Sequence, residues 1–388
     1  MDSKLLSLSY EYPPIGGGGA KVVNSLTDDL LARGKSIDLV TMAYRDLPRK
    51  ESTGNLNIFR VPCMRRNESV CHPHEMIPYL VFALPLVLWK ARKNRYVINH
   101  THFIFPDGVL AYLAKKFIRL PYVITAHGSD VPGYNPDRFQ FLHKILAPFW
   151  KVVARNAEYI ICPSAHLAEL IHSVDPAVRT KVIPNGIDLA KFDANRPRKR
   201  QVLVVTRMVE RKGVQYLIEA LSGWQCDFEV KIVGDGPYLP ELKKRARDLA
   251  VDVDFLGYVD NKSSEFRDLF ETSEIYVFTS SSENFPIVLL EAMTAGTAII
   301  TSNDTGCAEA VGDCAMLVPP MDSTAIRNAL QVLIGDPELC RDLGRKGRER
   351  VEAMFSTETV TEQYVNLYDE VTSVRGENHK NQKSDDHE

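Results

Sequence analysis

Two basic and two acidic residues carry the pattern in this chain that could do chemistry. Arg207 and Lys212 stand five apart across a turn between an apolar run and an amphipathic segment. Glu283 and Glu291 stand eight apart within Ser280–Met293, a polar loop that turns helical near Pro286. A proline at the first helical position sacrifices no hydrogen bond. The guanidinium and the ammonium place about two positive charges where a leaving phosphate group would develop negative charge. With Glu283 at the helix mouth, eight steps of about 1.5 Å put Glu291 roughly 12 Å further along, too far to share one proton or one metal ion. They can instead hold two ends of an extended ligand whose anionic middle rests on a helix N-terminus. Read alone, the stretch is equally a solvated acidic loop followed by one helical glutamate.

A glycine-rich turn and a histidine extend the set. Gly16, Gly17, Gly18 and Gly19 follow the first apolar strand, where backbone N–H groups can approach an anion without intervening side chains. The dinucleotide fingerprint is not matched, because Lys21, Val22 and Val23 occupy its later positions. His127 lies in Ala126-His127-Gly128-Ser129-Asp130 at the end of the strand 122–125, placed to steer a proton or bond a hydroxyl. Gly234 opens the turn Gly234-Asp235-Gly236-Pro237, and Gly257-Tyr258 ends the strand 253–256.

These motifs sit in a regular alternation of apolar strands and amphipathic helices that restarts near residue 200. Each falls at the carboxyl end of a strand, where open α/β sheets bind ligands. The fold class predicted is α/β, with two doubly wound parallel-sheet, Rossmann-like domains facing a central cleft. Residues 1–190 form the first domain and 200–355 the second, divided by the polar, basic stretch 195–200. A last helix spans 357–373, and the polar end 376–388 is expected to be disordered.

At 388 residues, two cores are the natural expectation. The net charge of −3 conceals an asymmetry: residues 1–198 hold 26 Lys+Arg against 17 Asp+Glu, and 199–388 hold 21 against 33. A basic first half suits a phosphorylated acceptor or an anionic membrane surface. Nucleic acid fits less well, because the basic residues are scattered among apolar stretches. Seven cysteines without CxxC pairing suggest reduced thiols, and Met1-Asp2-Ser3-Lys4 leads into a strand without a signal peptide. The longest apolar run, Met76 to Trp89, has 14 residues including Pro78 and Pro85. That is short of the roughly 20 needed to span a bilayer. A cytoplasmic protein follows, with any membrane contact peripheral and at the cytoplasmic face. No Cys/His cluster, GxSxG elbow or Walker A sequence is present. Asp252-Val253-Asp254 has the spelling of a metal loop, but both acids are expected to face solvent beside a strand. No metal site is predicted.

The glycine-rich turn, His127-Gly128, Asn185-Gly186-Ile187-Asp188, Arg207…Lys212-Gly213, Gly234-Asp235-Gly236-Pro237 and Glu283-x7-Glu291 occur together and in order. Across residues 4–373 the chain resembles the family 4 retaining glycosyltransferases, which have the GT-B fold. The resemblance implies a hexosyl group moved from a UDP- or GDP-linked sugar to an acceptor hydroxyl, with retention of configuration and without a metal or other cofactor. It implies that the second domain holds the donor and the first faces the acceptor, with the last helix crossing back to the first. Cell-envelope polysaccharide, glycolipid or other glycoconjugate synthesis is the setting it implies, and a lipid-linked acceptor is one candidate. By resemblance, Arg207 and Lys212 bind the diphosphate, Glu283 the donor sugar and Glu291 the ribose. Main-chain groups of Phe285, Pro286 and Ile287 line the sugar and phosphate pocket, and Gly257-Tyr258 touches the base. The Gly16–Gly19 turn reaches the phosphates or the acceptor, and His127 lies near the transferred sugar. Asn284 stands where the family often has Gly, which can alter the shape of the sugar pocket. Ala298 replaces a common Pro, and Arg33-Gly34-Lys35 a frequent Arg-Gly-His. A same-fold sugar-nucleotide epimerase and a non-catalytic nucleotide-sugar sensor are the rival readings.

Overall fold

The computed structural model describes residues 4–68, 70–134, 140–225 and 227–385. The chain forms two compact units, one of Met1–Gly186 with Thr357–Glu388 and one of Ile187–Ser356.

The first unit is built on β1 (Lys4–Leu8), β2 (Ser36–Met42), β3 (Lys50–Thr53), β4 (Leu56–Val61), β5 (Tyr96–His102), β6 (Tyr122–Thr125), β7 (Ile160–Cys162) and β8 (Thr180–Val182). Their order is β3-β4-β2-β1-β5-β6-β7-β8, parallel throughout except for the hairpin partner β3. Central strands such as β6 read as nearly unbroken apolar runs because helices cover both faces. Alternate residues divide between two cores. Leu6, Leu8, Val40 and Met42 face the helices Pro73–Lys93, Asp107–Ile118 and Gln140–Asn156. Leu5, Ile37 and Leu39 face the helix Gly18–Ala32 and the last helix, through its Val360, Tyr364, Leu367, Tyr368 and Val371. That last helix, Thr357–Asp385, runs past its expected end at 373. No proline follows Thr357, and Gly376 alone costs a helix only about 1 kcal/mol relative to Ala. Residues 386–388 lie outside the described residues.

The second unit carries β9 (Lys199–Val205), β10 (Glu229–Val233), β11 (Asp254–Gly257), β12 (Ser273–Phe278), β13 (Ala298–Ser302) and β14 (Met316–Val318). They form an all-parallel sheet in the order β11-β10-β9-β12-β13-β14. Val202 and Val204 face one core, Leu203 and Val205 the other. The boundary falls at Gly186/Ile187 rather than in the basic stretch 195–200. The reason is that this stretch is folded into the second unit. Arg198 donates to the carbonyls of Phe270, Glu271 and Ser273 at 3.0–3.1 Å and to that of Ala295, and Arg196 pairs with Asp268 and Glu271.

Strand order reverses between β1 and β5 and again between β9 and β12. At such points the loops leaving adjacent strands part in opposite directions, which opens a crevice at the carboxyl edge. The glycine-rich turn leaves β1, the Arg207–Lys212 turn leaves β9, and the Glu283 loop leaves β12.

Candidate active site

In the second unit, the turn after β9 and the loop after β12 are bonded to each other. Lys212 ends a short 3₁₀ turn, Glu210–Lys212, and its Nζ pairs with Glu283 Oε1. Ser280 Oγ donates to the same carboxylate oxygen at 2.6 Å, and Arg211 Nη1 lies 4.0 Å from it. Arg211 also ties the backbones together: its Nη1 donates to the Ser282 carbonyl and its own carbonyl accepts from Ser281 N, both at 2.9 Å. Gly213, at φ +76°, follows directly, and a Cβ there would strike the Thr279 carbonyl. Only glycine permits that approach, so it sets the depth at which Lys212 meets Glu283. Gly234 is pressed likewise on the Thr206 carbonyl, and its N–H donates to the Gly257 carbonyl at 2.7 Å.

The structure separates the two glutamates by partner. Glu283 lies in the loop, short of the helix Ile287–Thr294, for which Pro286 is the cap residue rather than a helical one. The expectation of Glu283 at the helix mouth is corrected accordingly: Ser280 and Lys212 hold it back against the end of β12. Glu291 is buried on that helix and pairs with Lys191, which extends from the 3₁₀ turn Leu189–Lys191 capped by Asp188. Asn284 is buried, as is Phe285, whose ring meets Phe355 edge-on at 5.3 Å. Ile287 is half-buried, Arg207 is exposed, and the Tyr258 ring is 76% exposed beyond Gly257. Asp252 and Asp254 are both exposed at the edge strand β11. Among the described residues no group of three or more His, Cys, Asp or Glu could hold a metal ion.

In the first unit, the glycine run is not all loop. Gly17 is the cap residue and Gly18 and Gly19 begin the first turn of the helix. Gly19 must lack a side chain because it faces Phe103 and His127, whereas Gly18 faces open space. A Cβ on Gly19 would lie 2.9 Å from the Phe103 ring and 3.4 Å from that of His127. Gly16 donates to the Glu68 carbonyl at 2.8 Å, and Glu11, paired with the buried Arg65 at 3.0 Å, accepts from Gly17 N at 3.4 Å.

His127 thus stands directly against the start of that helix. Asp130 fixes it from behind, accepting from His127 N at 3.0 Å and from Ile104 N at 2.8 Å. The ring packs on Phe103 at 4.4 Å and on His102 at 5.6 Å, and its Nε2 is buried without a hydrogen-bond partner among the described residues. Burial lowers the His127 pKa to about 4 and that of His100 to about 3, and it lowers His102 well below the usual value. These rings are therefore neutral acceptors or donors at pH 7, not cations. An unfolded chain takes up the same protons near pH 6.5 while the folded one does not. Stability must then fall as pH drops from about 6.5 to 4. The Asp107 carboxyl, pushed up to about 8 by burial, acts in the opposite sense, so the histidine effect is read by difference. In His127→Gln, the loss of stability across that window should shrink by up to about 3 kcal/mol in urea midpoints taken against pH. An unchanged slope would show that the ring protonates in the folded state.

Sequence reasoning missed Lys191, Arg211 and Ser280. Lys191 had a signal in the turn Asn185–Asp188 three residues before it; Arg211 and Ser280 become recognisable only once β9 and β12 are neighbours.

Two charged loops tied together at the strand-order reversal of a parallel sheet are a fold-level feature, and the comparisons give it a family. Residues 16–191 match Glycosyltransferase Family 4, and residues 188–350 match Glycosyl transferases group 1. The chain belongs to the group 1 glycosyltransferases. The two matches meet within a few residues of the junction between the units. N-acetyl-alpha-D-glucosaminyl L-malate synthase of Bacillus anthracis is 26% identical to this glycosyltransferase, covering 93% of this chain and 95% of its own. Sucrose-phosphate synthase from Thermosynechococcus elongatus has the same fold, with a TM-score of 0.81 over 96% of this chain and 100% of its own at 24% identity. So does HepE of Anabaena, solved with UDP and glucose, with a TM-score of 0.73 over 94% and 99% at 18% identity. The fold is GT-B.

Proposed function

We propose that this glycosyltransferase moves a hexosyl group from a nucleotide-diphosphate sugar to an acceptor hydroxyl with retention of configuration and without a metal ion. The observation that carries the reading is the Lys212–Glu283–Ser280 cluster at the reversal between β9 and β12, with Arg211 beside it and Arg207 exposed in the same turn. Arg207 and Lys212 neutralise the diphosphate, the task a divalent ion would otherwise perform. Glu283 holds sugar hydroxyls, and Glu291, paired with Lys191, holds the ribose. The exposed Tyr258 ring offers a face to the base. No residue is assigned as a covalent nucleophile. The acceptor oxygen forms its bond to the anomeric carbon on the face from which the diphosphate oxygen departs. His127, neutral and set by Asp130, bonds the transferred sugar from the first unit, and the backbone around Gly16–Gly19 reaches the phosphates or the acceptor.

The HepE ligands support UDP-linked hexoses as the first donors to test. A thermal-shift screen of UDP- and GDP-linked sugars should single out one base, since a donor at 100 times its Kd adds about 2.7 kcal/mol to the folded state. Transfer should then yield a product with the anomeric configuration of the donor, at a rate unchanged by EDTA. Inversion, or loss of activity in EDTA, would overturn the retaining or metal-free assignment respectively. Donor isomerised without an acceptor would instead establish an epimerase.

A further inference from the structure

The helix Pro73–Lys93 buries Tyr79, Ala83 and Val87 and turns Lys90 inward to Asp38 at 2.9 Å. Its opposite face is apolar and uncovered. Ile77, Val81, Phe82 and Trp89 are each more than half exposed, and residues 76–89 contain no charge at all. The helices Asp107–Ile118 and Gln140–Asn156 lie in the same layer over the sheet, and they expose Phe117 and Phe149. The charge of this layer is one-sided. Residues 76–129 hold seven Lys and Arg and a single acid, Asp107, which is fully buried. Arg92, Lys93, Arg95, Lys116 and Arg119 are exposed around the helix ends, with Lys93 Nζ 4.9 Å from the Trp89 ring centre.

From this surface we propose that the outer face of the helix Pro73–Lys93, with the end of Asp107–Ile118, docks on an anionic lipid bilayer. Apolar side chains enter the interface, an indole lies at headgroup depth, and lysines and arginines meet lipid phosphates, as in interfacial helices. A second copy of the chain is a poorer occupant, because residues 76–129 offer no exposed acid to meet a partner's basic residues. No helix among the described residues is long and apolar enough to cross a membrane, so the contact is peripheral. The helix begins beyond β4, at the sheet edge that also carries the Gly16–Gly19 turn and His127. An acceptor hydroxyl borne on a lipid would therefore be presented at the proposed acceptor edge.

The test is co-sedimentation of the full chain with phosphatidylcholine vesicles, with and without phosphatidylglycerol, at low and high salt. It uses neither donor nor acceptor, so its outcome is separate from that of the transferase reading. The wild type should sediment with phosphatidylglycerol vesicles, less so at high salt, with a blue shift of Trp89 emission that Trp89→Phe removes. Each Lys or Arg at such a surface contributes a factor of about five. Arg92→Glu/Lys93→Glu/Lys116→Glu should therefore reduce binding more than a hundredfold, and Val81→Asp/Phe82→Asp more than tenfold, with unchanged melting temperatures. Folded wild type that ignores both vesicles would overturn the proposal. So would apolar variants that bind like wild type, or a dimer in sedimentation velocity that Val81→Asp/Phe82→Asp dissolves.

Discussion

Lys212→Ala should lower kcat/KM for glycosyl transfer by a factor of about 10² to 10³, mainly through kcat, while leaving the protein folded. That size is typical for removing one preorganised group from a developing oxyanion. The ammonium is well placed for it: Nζ is fixed on Glu283, and its side chain is only 13% exposed, so little reorganisation is needed when the diphosphate begins to leave. Stability should change little, because Glu283 keeps its hydrogen bond from Ser280 and the Arg211 guanidinium nearby. Lys212→Arg provides a second reading. It keeps the charge but not the shape, and should recover part of the rate only if charge on the leaving group is the point. Glu283→Ala should also lose transfer, through the sugar and through the lost anchor of Lys212. Wild-type rates in both Lys212→Ala and Glu283→Ala would remove the cluster from the active site.

The alternation of strands and helices was legible because the central parallel strands are buried on both faces and so read as apolar runs, as Ile275–Phe278 does. The family was legible because its motifs are short and ordered along the chain. What could not be read is what depends on strands distant in sequence becoming neighbours. Arg211 is 70 residues from Ser281, yet its carbonyl accepts from the Ser281 N–H at 2.9 Å, since β9 and β12 are adjacent. The basic stretch 195–200 reads as a linker because nothing local shows that the Arg198 guanidinium will be filled by the carbonyls of Phe270, Glu271, Ser273 and Ala295. The same blindness hid the true start of the first helix. Gly18 and Gly19 have low helix propensity, and only the rings of Phe103 and His127 explain why Gly19 must lack a side chain there.

Gly306 shows how far such a hidden constraint can reach, and Gly306→Ala should lose most activity with no change to a charged residue. Thr305 caps the helix Gly306–Val311, accepting from Cys307 N at 3.2 Å, and Gly306 N donates to the Glu283 carbonyl at 3.1 Å. A Cβ on Gly306 would land on the Asn284 carbonyl and lie 3.1 Å from that of Glu283. Both obstacles are backbone, so neither can rotate aside. The loop must shift as a whole, drawing Glu283 off Ser280 and Lys212. A displacement of about 1 Å at a reacting group can cost on the order of 10²-fold in rate. Overpacking of this kind costs about 1–3 kcal/mol of stability. Gly335→Ala is the control: it also lies in the second unit, but a Cβ there meets nothing within 4 Å. It should melt and turn over like wild type. If Gly306→Ala does the same, the loop carrying Glu283 and Asn284 is free to move without consequence, and its fixed position cannot be what selects the sugar.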